Sequence, residues 1–362
     1  MTQLDVAGPR TGVGRTQAYL GRCQVADVLR CRERFGGVTL QGLAGLKIVR
    51  YLRRAGDLWG VDLDPAVYRQ RPGRASEQLS LPGVNPMPLD WVEVQAELGL
   101  PVIRTAGARI KAGRVPELRA ELNRSYPVAV SVALALDTGW LGRRHIDALE
   151  LELKAADRNV SVLFAAAFNP LDSRQKIEGL RRVLRWATES GRGLELLRTD
   201  LSGLPAVLAG AAVAAIGFST STRHVGVPFV AGQRDAYNLR RRSPLVFVPR
   251  LLHWQRANIL ACLAPWDGAG ITHCDCPVCA PAGADLLRFD AFSGQFPIAL
   301  QNEVREHDEL ALAGVIRQIM SAEDPAAELK FRRVNAVHRA RSVATSLNVA
   351  LDGPPAWLSG WD

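Results

Sequence analysis

Three cysteines crowd into six residues of the run His273-Cys274-Asp275-Cys276-Pro277-Val278-Cys279. A C-x-C-x-x-C knuckle is poor geometry for disulfides among its own members, while thiolates are the natural soft ligands of zinc. Residues 1–15 are polar and Gly-rich and carry no apolar core of a secretory signal, so such a cluster argues for metal rather than oxidative bridges, and the cytoplasm is the expected compartment. A fourth ligand must come from elsewhere, and the candidates are His307, His273 and Cys262. His273 adjoins Cys274, which is sterically awkward. His307 falls at the start of a predicted helix, which holds a side chain rigidly. Four protein ligands leave no open coordination position, so the expected role of Zn2+ is structural.

Carboxylates at the ends of apolar runs form a second set. Asp62 and Asp64 occur in Val61-Asp62-Leu63-Asp64-Pro65, Asp137 opens Asp137-Thr138-Gly139-Trp140, and Asp200 precedes Leu201-Ser202. Each also has a structural reading: Asp64 as a turn or cap, Asp62 as an interior polar residue, Asp137 as a strand-to-loop turn, Asp200 as the cap of the next helix. The polar tract Ser219, Thr220, Ser221, Thr222, Arg223 and His224 follows a buried apolar run, where hydroxyls and a guanidinium suit a phosphate. Arg240-Arg241-Arg242 is either a solvated basic face or a phosphate track.

The elements that must position these groups alternate strand and helix. Strands are predicted at 58–62, 101–105, 128–136, 160–168, 194–198 and 213–218, with helices at 115–123, 144–156, 172–190 and 204–211. The stretches 128–136 and 160–168 are almost wholly apolar, as strands buried on both faces should be. Earlier apolar segments such as 37–40 supply further strands. An eight-stranded α/β barrel of the TIM type is the simplest fit, and an open doubly wound sheet is second. Its carboxylates would then lie at the C-terminal rim of the barrel, where ligands bind. The expected organisation is an N-terminal segment with first barrel elements (1–50), the barrel (51–224), a zinc-binding subdomain (225–320) and a C-terminal helical segment (321–362), with helices at 303–320 and 332–349.

Composition bounds the function classes. The 362 residues are 48% hydrophobic and 22% charged, which excludes a mainly disordered chain, and no run of about 18 apolar residues predicts a membrane span. Only Lys47, Lys111, Lys154, Lys176 and Lys330 are lysines among 45 basic residues, so arginine dominates a net charge of +9. The planar guanidinium suits phosphate and points to a polyanion partner; Arg-rich codon usage is the competing explanation.

C-x-C-x-x-C, followed 28 residues later by His307-Asp308-Glu309-Leu310-Ala311-Leu312, resembles the zinc site of the tRNA-guanine transglycosylases, the family of queuine, archaeosine and DNA 7-deazaguanine exchange. Residues 196–223 are similar in order and length to that family's last strands, and end in Ser221-Thr222-Arg223 where it has Pro-Thr-Arg. The resemblance runs from about 194 to 320 and is architectural over 57–193. It implies a (β/α)8 barrel with ligands Cys274, Cys276, Cys279 and His307, exchanging guanine for a 7-deazaguanine-type base in tRNA or DNA. It further implies substrate contacts at Ser221, Thr222, Arg223, Arg240, Arg241 and Arg242, and a homo- or hetero-dimer. The family's nucleophilic aspartate should lie six residues before Arg223, but that position is Gly217, and no complete Asp-Ser-Gly-Gly occurs. Catalysis then falls to Asp137 as acid/base, with Asp200 and Asp62 as the other candidates. The alternatives are a non-catalytic nucleic-acid-binding or accessory subunit, and an unrelated zinc-containing metabolic barrel.

Overall fold

The computed structural model describes residues 14–69, 90–166, 170–218, 220–223, 225–226, 245–257, 259–260, 270–283, 286–289, 298–347 and 356–361. Two compact units result, Met1–Ala166 with Glu178–Val225 and Ala167–Ile177 with Gly226–Asp362.

In the first unit, strands and helices alternate as β1 (Arg15–Leu20), α1 (Val25–Phe35), β2 (Val38–Gln41), α2 (Gly42–Arg54), β3 (Val61–Asp64), α3 (Trp91–Glu97), β4 (Ala108–Ile110), α4 (Val115–Leu122) and β5 (Val132–Asp137). They continue as α5 (Ile146–Ala156), β6 (Val160–Ala166), α6 (Arg174–Ser190), β7 (Leu194–Thr199), α7 (Gly203–Leu208), β8 (Val213–Gly217) and the short α8 (Thr220–Arg223). The sheet order is β3-β2-β1-β8-β7-β6-β5-β4, with all eight strands parallel. β1 lies beside β8, Ala18 opposite Ile216, so the first strand meets the last. That pairing belongs to a TIM-like (β/α)8 fold and not to a doubly wound sheet. Among the described residues no ladder joins β3 to β4.

The six strands expected between 57 and 222 correspond to β3 through β8, with three corrections. The strand expected at 58–62 starts at Val61, and Trp59 is exposed. Residues 101–105 form no strand beyond one bridge from Arg104 to Ser131; the ladder is made by Ala108–Ile110. In the run 128–136 the strand starts only at Val132, after the single bridge at Ser131, and Val128 is exposed. β1 was not legible because its polar residues face inward. Gln17 is fully buried, donating from Nε2 to Asp62 (2.9 Å) and accepting from Thr39 Oγ1 (2.7 Å).

Arg104 lines the open seam. Its guanidinium donates to the Leu63 carbonyl of β3 (3.2 Å), to Asp62 Oδ2 (3.4 Å) and to both carboxylate oxygens of Glu195 on β7 (2.8 and 3.0 Å). Its backbone is held by Gln95, which accepts from Arg104 N and donates to Arg104 O. Asp62 and Glu195 thus share the buried Arg104 guanidinium, and Asp62 Oδ2 also accepts from the half-exposed Arg15 at 3.3 Å.

The second unit contains an antiparallel hairpin, β9 (Leu245–Val248) and β10 (His253–Arg256), with Phe247 opposite Trp254. The helices α9 (Ile298–Met320), α10 (Pro325–Leu347) and α11 (Trp357–Gly360) follow. α10 starts seven residues earlier than expected. Asp324 caps it by accepting from the amides of Ala326 and Ala327, and Pro325 occupies the first turn. Arg333 donates to the Leu358 carbonyl (2.9 Å), tying α11 to α10. Among the described residues no helix is long and apolar enough to cross a membrane.

Candidate functional site

In the second unit, Cys274, Cys276, Cys279 and His307 are all buried and their ligand atoms lie within 4.8 Å of one another. The turn geometry explains the knuckle. Cys276 O accepts from the amides of Cys279 and Ala280 at 2.9 Å, folding the C-x-x-C into one tight turn. His307 Nδ1 is 3.9, 3.4 and 3.3 Å from the sulfurs of Cys274, Cys276 and Cys279. A tetrahedral ion with Zn–S of about 2.3 Å and Zn–N of about 2.0–2.1 Å separates sulfur from nitrogen by about 3.6 Å, so the four donors fit such an ion.

The tautomer is fixed by a neighbour. His307 Nε2 is 2.8 Å from the Phe247 carbonyl, which can only accept, so Nε2 carries the hydrogen and Nδ1 faces the sulfurs. Asp308 completes the grip on the same strand residue. Its Oδ1 accepts from Phe247 N (2.7 Å), and its Oδ2 accepts from Trp254 Nε1 (3.0 Å). Phe289 packs 5.3 Å from the His307 ring, excluding water from that side.

Hydrogen bonds from Cys274 and Cys279 hold the Cys276 thiol well below its ordinary range, while hydrogen bonds with Cys274 and Cys276 push Cys279 well above it. Burial lowers the His307 pKa, but hydrogen bonds to Cys274 and Cys276, with Asp308 alongside, push it up to about 10. Three sulfurs this close ionise together only around a positive ion. Of the other candidate ligands, His273 turns outward and pairs with Asp275 (2.6 Å), and Cys262 lies outside the described residues.

In the first unit the expected catalytic carboxylates are separately engaged. Asp62 is fully buried in the interior network of Arg15, Gln17 and Arg104. Asp200 Oδ1 accepts from Ser202 N (2.8 Å) and so shapes the turn into α7. Asp137 ends β5 with its side chain 26% exposed, and accepts from Arg109 of β4 at 3.1 and 3.3 Å. The following turn is pinned by Trp140, whose indole donates to the Ile110 carbonyl. Among the described residues these three carboxylates share no hydrogen-bond partner.

Gly217 closes β8, and a Cβ built there would lie 2.3 Å from the backbone C and O of Thr222. Thr222 is buried on α8, Arg223 is half-buried, and the side chain of Ser221 lies outside the described residues, as do Arg240, Arg241 and Arg242.

Sequence reasoning missed a cluster at the C-terminal strand ends. Asp64 Oδ2 accepts from the hydroxyls of Tyr19 and Tyr68, each at 2.5 Å, and Oδ1 accepts from Ala66 N. Arg198 stands over the Tyr19 ring at 5.5 Å, with φ of +55° at a register irregularity between β7 and β8. The spacing of Asp62 and Asp64 on one face of a strand signalled Asp64; nothing in the sequence signals the irregularity that turns Arg198 inward.

No family model and no curated protein matches the chain. Among solved structures, a deoxyribose phosphate aldolase from Aeropyrum pernix, described as a tetramer, is similar at 16% identity, covering 56% of this chain and 85% of that one, with a TM-score of 0.34. Likeness at that level assigns this chain no chemistry.

Proposed function

We propose that the protein exchanges a base in nucleic acid by transglycosylase-type chemistry, guanine for a 7-deazaguanine-type base in tRNA or DNA, and that a structural Zn2+ holds its second unit. The observation that supports this reading is the Cys3His cluster: residues singled out by family-like spacing, 33 positions apart at the extremes, converge into one buried donor set. All four donors are protein atoms, which suits a structural and not a catalytic ion. Asp137 is the favoured acid/base, because it is half-buried at a strand end and, among the described residues, its carboxylate is bonded to Arg109 alone. It would protonate the departing base and take a proton from the incoming one. Asp200, on the strand beside Gly217, is the next candidate; Asp62 is committed to the interior network. Ser221, Thr222, Arg223 and Arg240 to Arg242 are the proposed substrate-backbone contacts.

Gly217 favours a second reading, an accessory subunit that binds nucleic acid or a catalytic partner, because Thr222 leaves no room for a nucleophile there. Exchange of labelled guanine into tRNA and duplex DNA separates the two. Wild type should exchange, and Asp137→Asn should lose about 100-fold or more. Salt-sensitive binding without exchange on any substrate supports the accessory subunit. Neither exchange nor binding overturns both.

A further inference from the structure

The outward face of α2 carries Lys47, Arg50, Tyr51 and Arg54 at i, i+3, i+4 and i+7, with Arg53 adjacent, and all five are exposed. Helical spacing puts these groups on one stripe. No acidic residue occurs in α2, and none of its four cations pairs with a carboxylate among the described residues. Some other surface arginines of this unit are paired, Arg119 with Glu152 and Arg192 with Asp157, while exposed Arg143, Arg144 and Arg185 show no ion pair among the described residues.

Five residues after α2 ends stands Trp59, 58% exposed. Its ring is not loose. The Arg32 guanidinium stacks on it at 4.2 Å, and Arg32 is itself fixed by two hydrogen bonds to Asp57 at 2.8 and 2.9 Å. Asp57, the one carboxylate between α2 and β3, is thereby neutralised. The large exposed ring is thus held in place, and ordering it on binding costs little.

We propose that this stripe and Trp59 form a binding surface for single-stranded nucleic acid, with a base stacking on Trp59 and the phosphates tracking Lys47, Arg50, Arg53 and Arg54. Cations with no carboxylate partner among the described residues, close in sequence to a fixed aromatic ring, suit sequence-tolerant single-strand binding. A duplex would not offer its base faces to Trp59. The inference rests on the nucleic-acid reading above but concerns a surface separate from its proposed residues.

The test is fluorescence anisotropy of a labelled oligo-dT or oligo-U of about 12 nucleotides with the full chain at several salt concentrations. Trp59→Ala should weaken binding about tenfold, and Trp59→Phe should recover part of that. Lys47→Ala with Arg50→Ala and Arg54→Ala should lower the salt slope by about 2, while removing the paired Arg119 and Arg192 should change it less. If wild type binds and these variants leave affinity and slope unchanged, this surface is wrong and the nucleic-acid reading survives. No binding by wild type at low salt sinks both. Binding to phosphatidylserine vesicles but not to the oligonucleotides makes the patch a lipid surface and overturns the proposal.

Discussion

Gly217 and Thr222 approach so closely that a side chain at 217 and the Thr222 backbone cannot coexist: a Cβ would sit 2.3 Å from the Thr222 carbonyl. A glycine at 217 is therefore required by the packing of α8 on β8, and no carboxylate fits at that position. Gly217→Ala should cost about 1–3 kcal/mol through overpacking, read as a lowered urea midpoint. Gly217→Asp should be at least as destabilised and should gain no base exchange. A stable, exchange-active Gly217→Asp would refute this account.

The proposed metal centre has two layers that can be separated. Cys276→Ser removes a donor, and elemental analysis should fall from one zinc per chain to none, with loss of structure in the second unit. Asp308→Asn keeps all four donors but puts an NH2 group against Phe247 N–H or Trp254 Nε1–H. Zinc affinity should then drop about 10- to 100-fold, measured by competition with a chelator. Unchanged affinity would remove Asp308 from the supporting layer.

How far the sequence reveals these features depends on where each polar residue points. β5 and β6 were legible because their apolar runs are buried on both faces. β1 was hidden because Gln17 and Thr16 look like loop residues until Gln17 is seen to donate to Asp62 and accept from Thr39. The three cysteines were legible from spacing, since a knuckle is local, whereas His307, 28 residues on, was one of three candidate partners until it was seen among the sulfurs. Phe247 and Trp254 were not legible, because their link to Asp308 spans 61 and 54 residues and leaves no pattern. Asp62 shows the same limit: a strand-end carboxylate is identical in sequence whether it faces a ligand or an interior arginine.

The Tyr19–Asp64–Tyr68 cluster should make the barrel sensitive to alkali. Burial raises the pKa of both phenols well above 10, and the Asp64 charge raises them further. A raised folded-state pKa contributes stability that is complete below the unfolded value of about 10 and is lost as pH climbs above it. Stability should be level to about pH 9.5 and then fall by up to about 1.4 kcal/mol per pH unit for each tyrosine. Replacing both by Phe should flatten that decline while lowering stability at neutral pH, because Asp64 loses two donors. Urea unfolding at pH 9, 10 and 11 measures the slope; an equal slope in the double variant would contradict the assignment.

Arg104 makes the sharpest energetic prediction. It stands between β3 and β7 and satisfies Asp62 and Glu195 together while donating to the Leu63 carbonyl. Arg104→Met leaves two buried carboxylates without their shared cation, and removing one partner of a buried pair costs about 3–5 kcal/mol. The loss comes mainly from stranded charge and not from lost attraction, so it should be partly reversible. Adding Glu195→Gln to Arg104→Met removes one of the stranded charges, and the double variant should be more stable than Arg104→Met alone. Asp62→Asn should behave as a stability variant too, with base exchange, where it occurs, following the folded fraction. A double-mutant cycle at Arg104 and Glu195 reads the coupling directly. If Arg104→Met unfolds within about 1 kcal/mol of wild type, the interior pairing of Arg104 with Asp62 and Glu195 is not what stabilises the barrel interior.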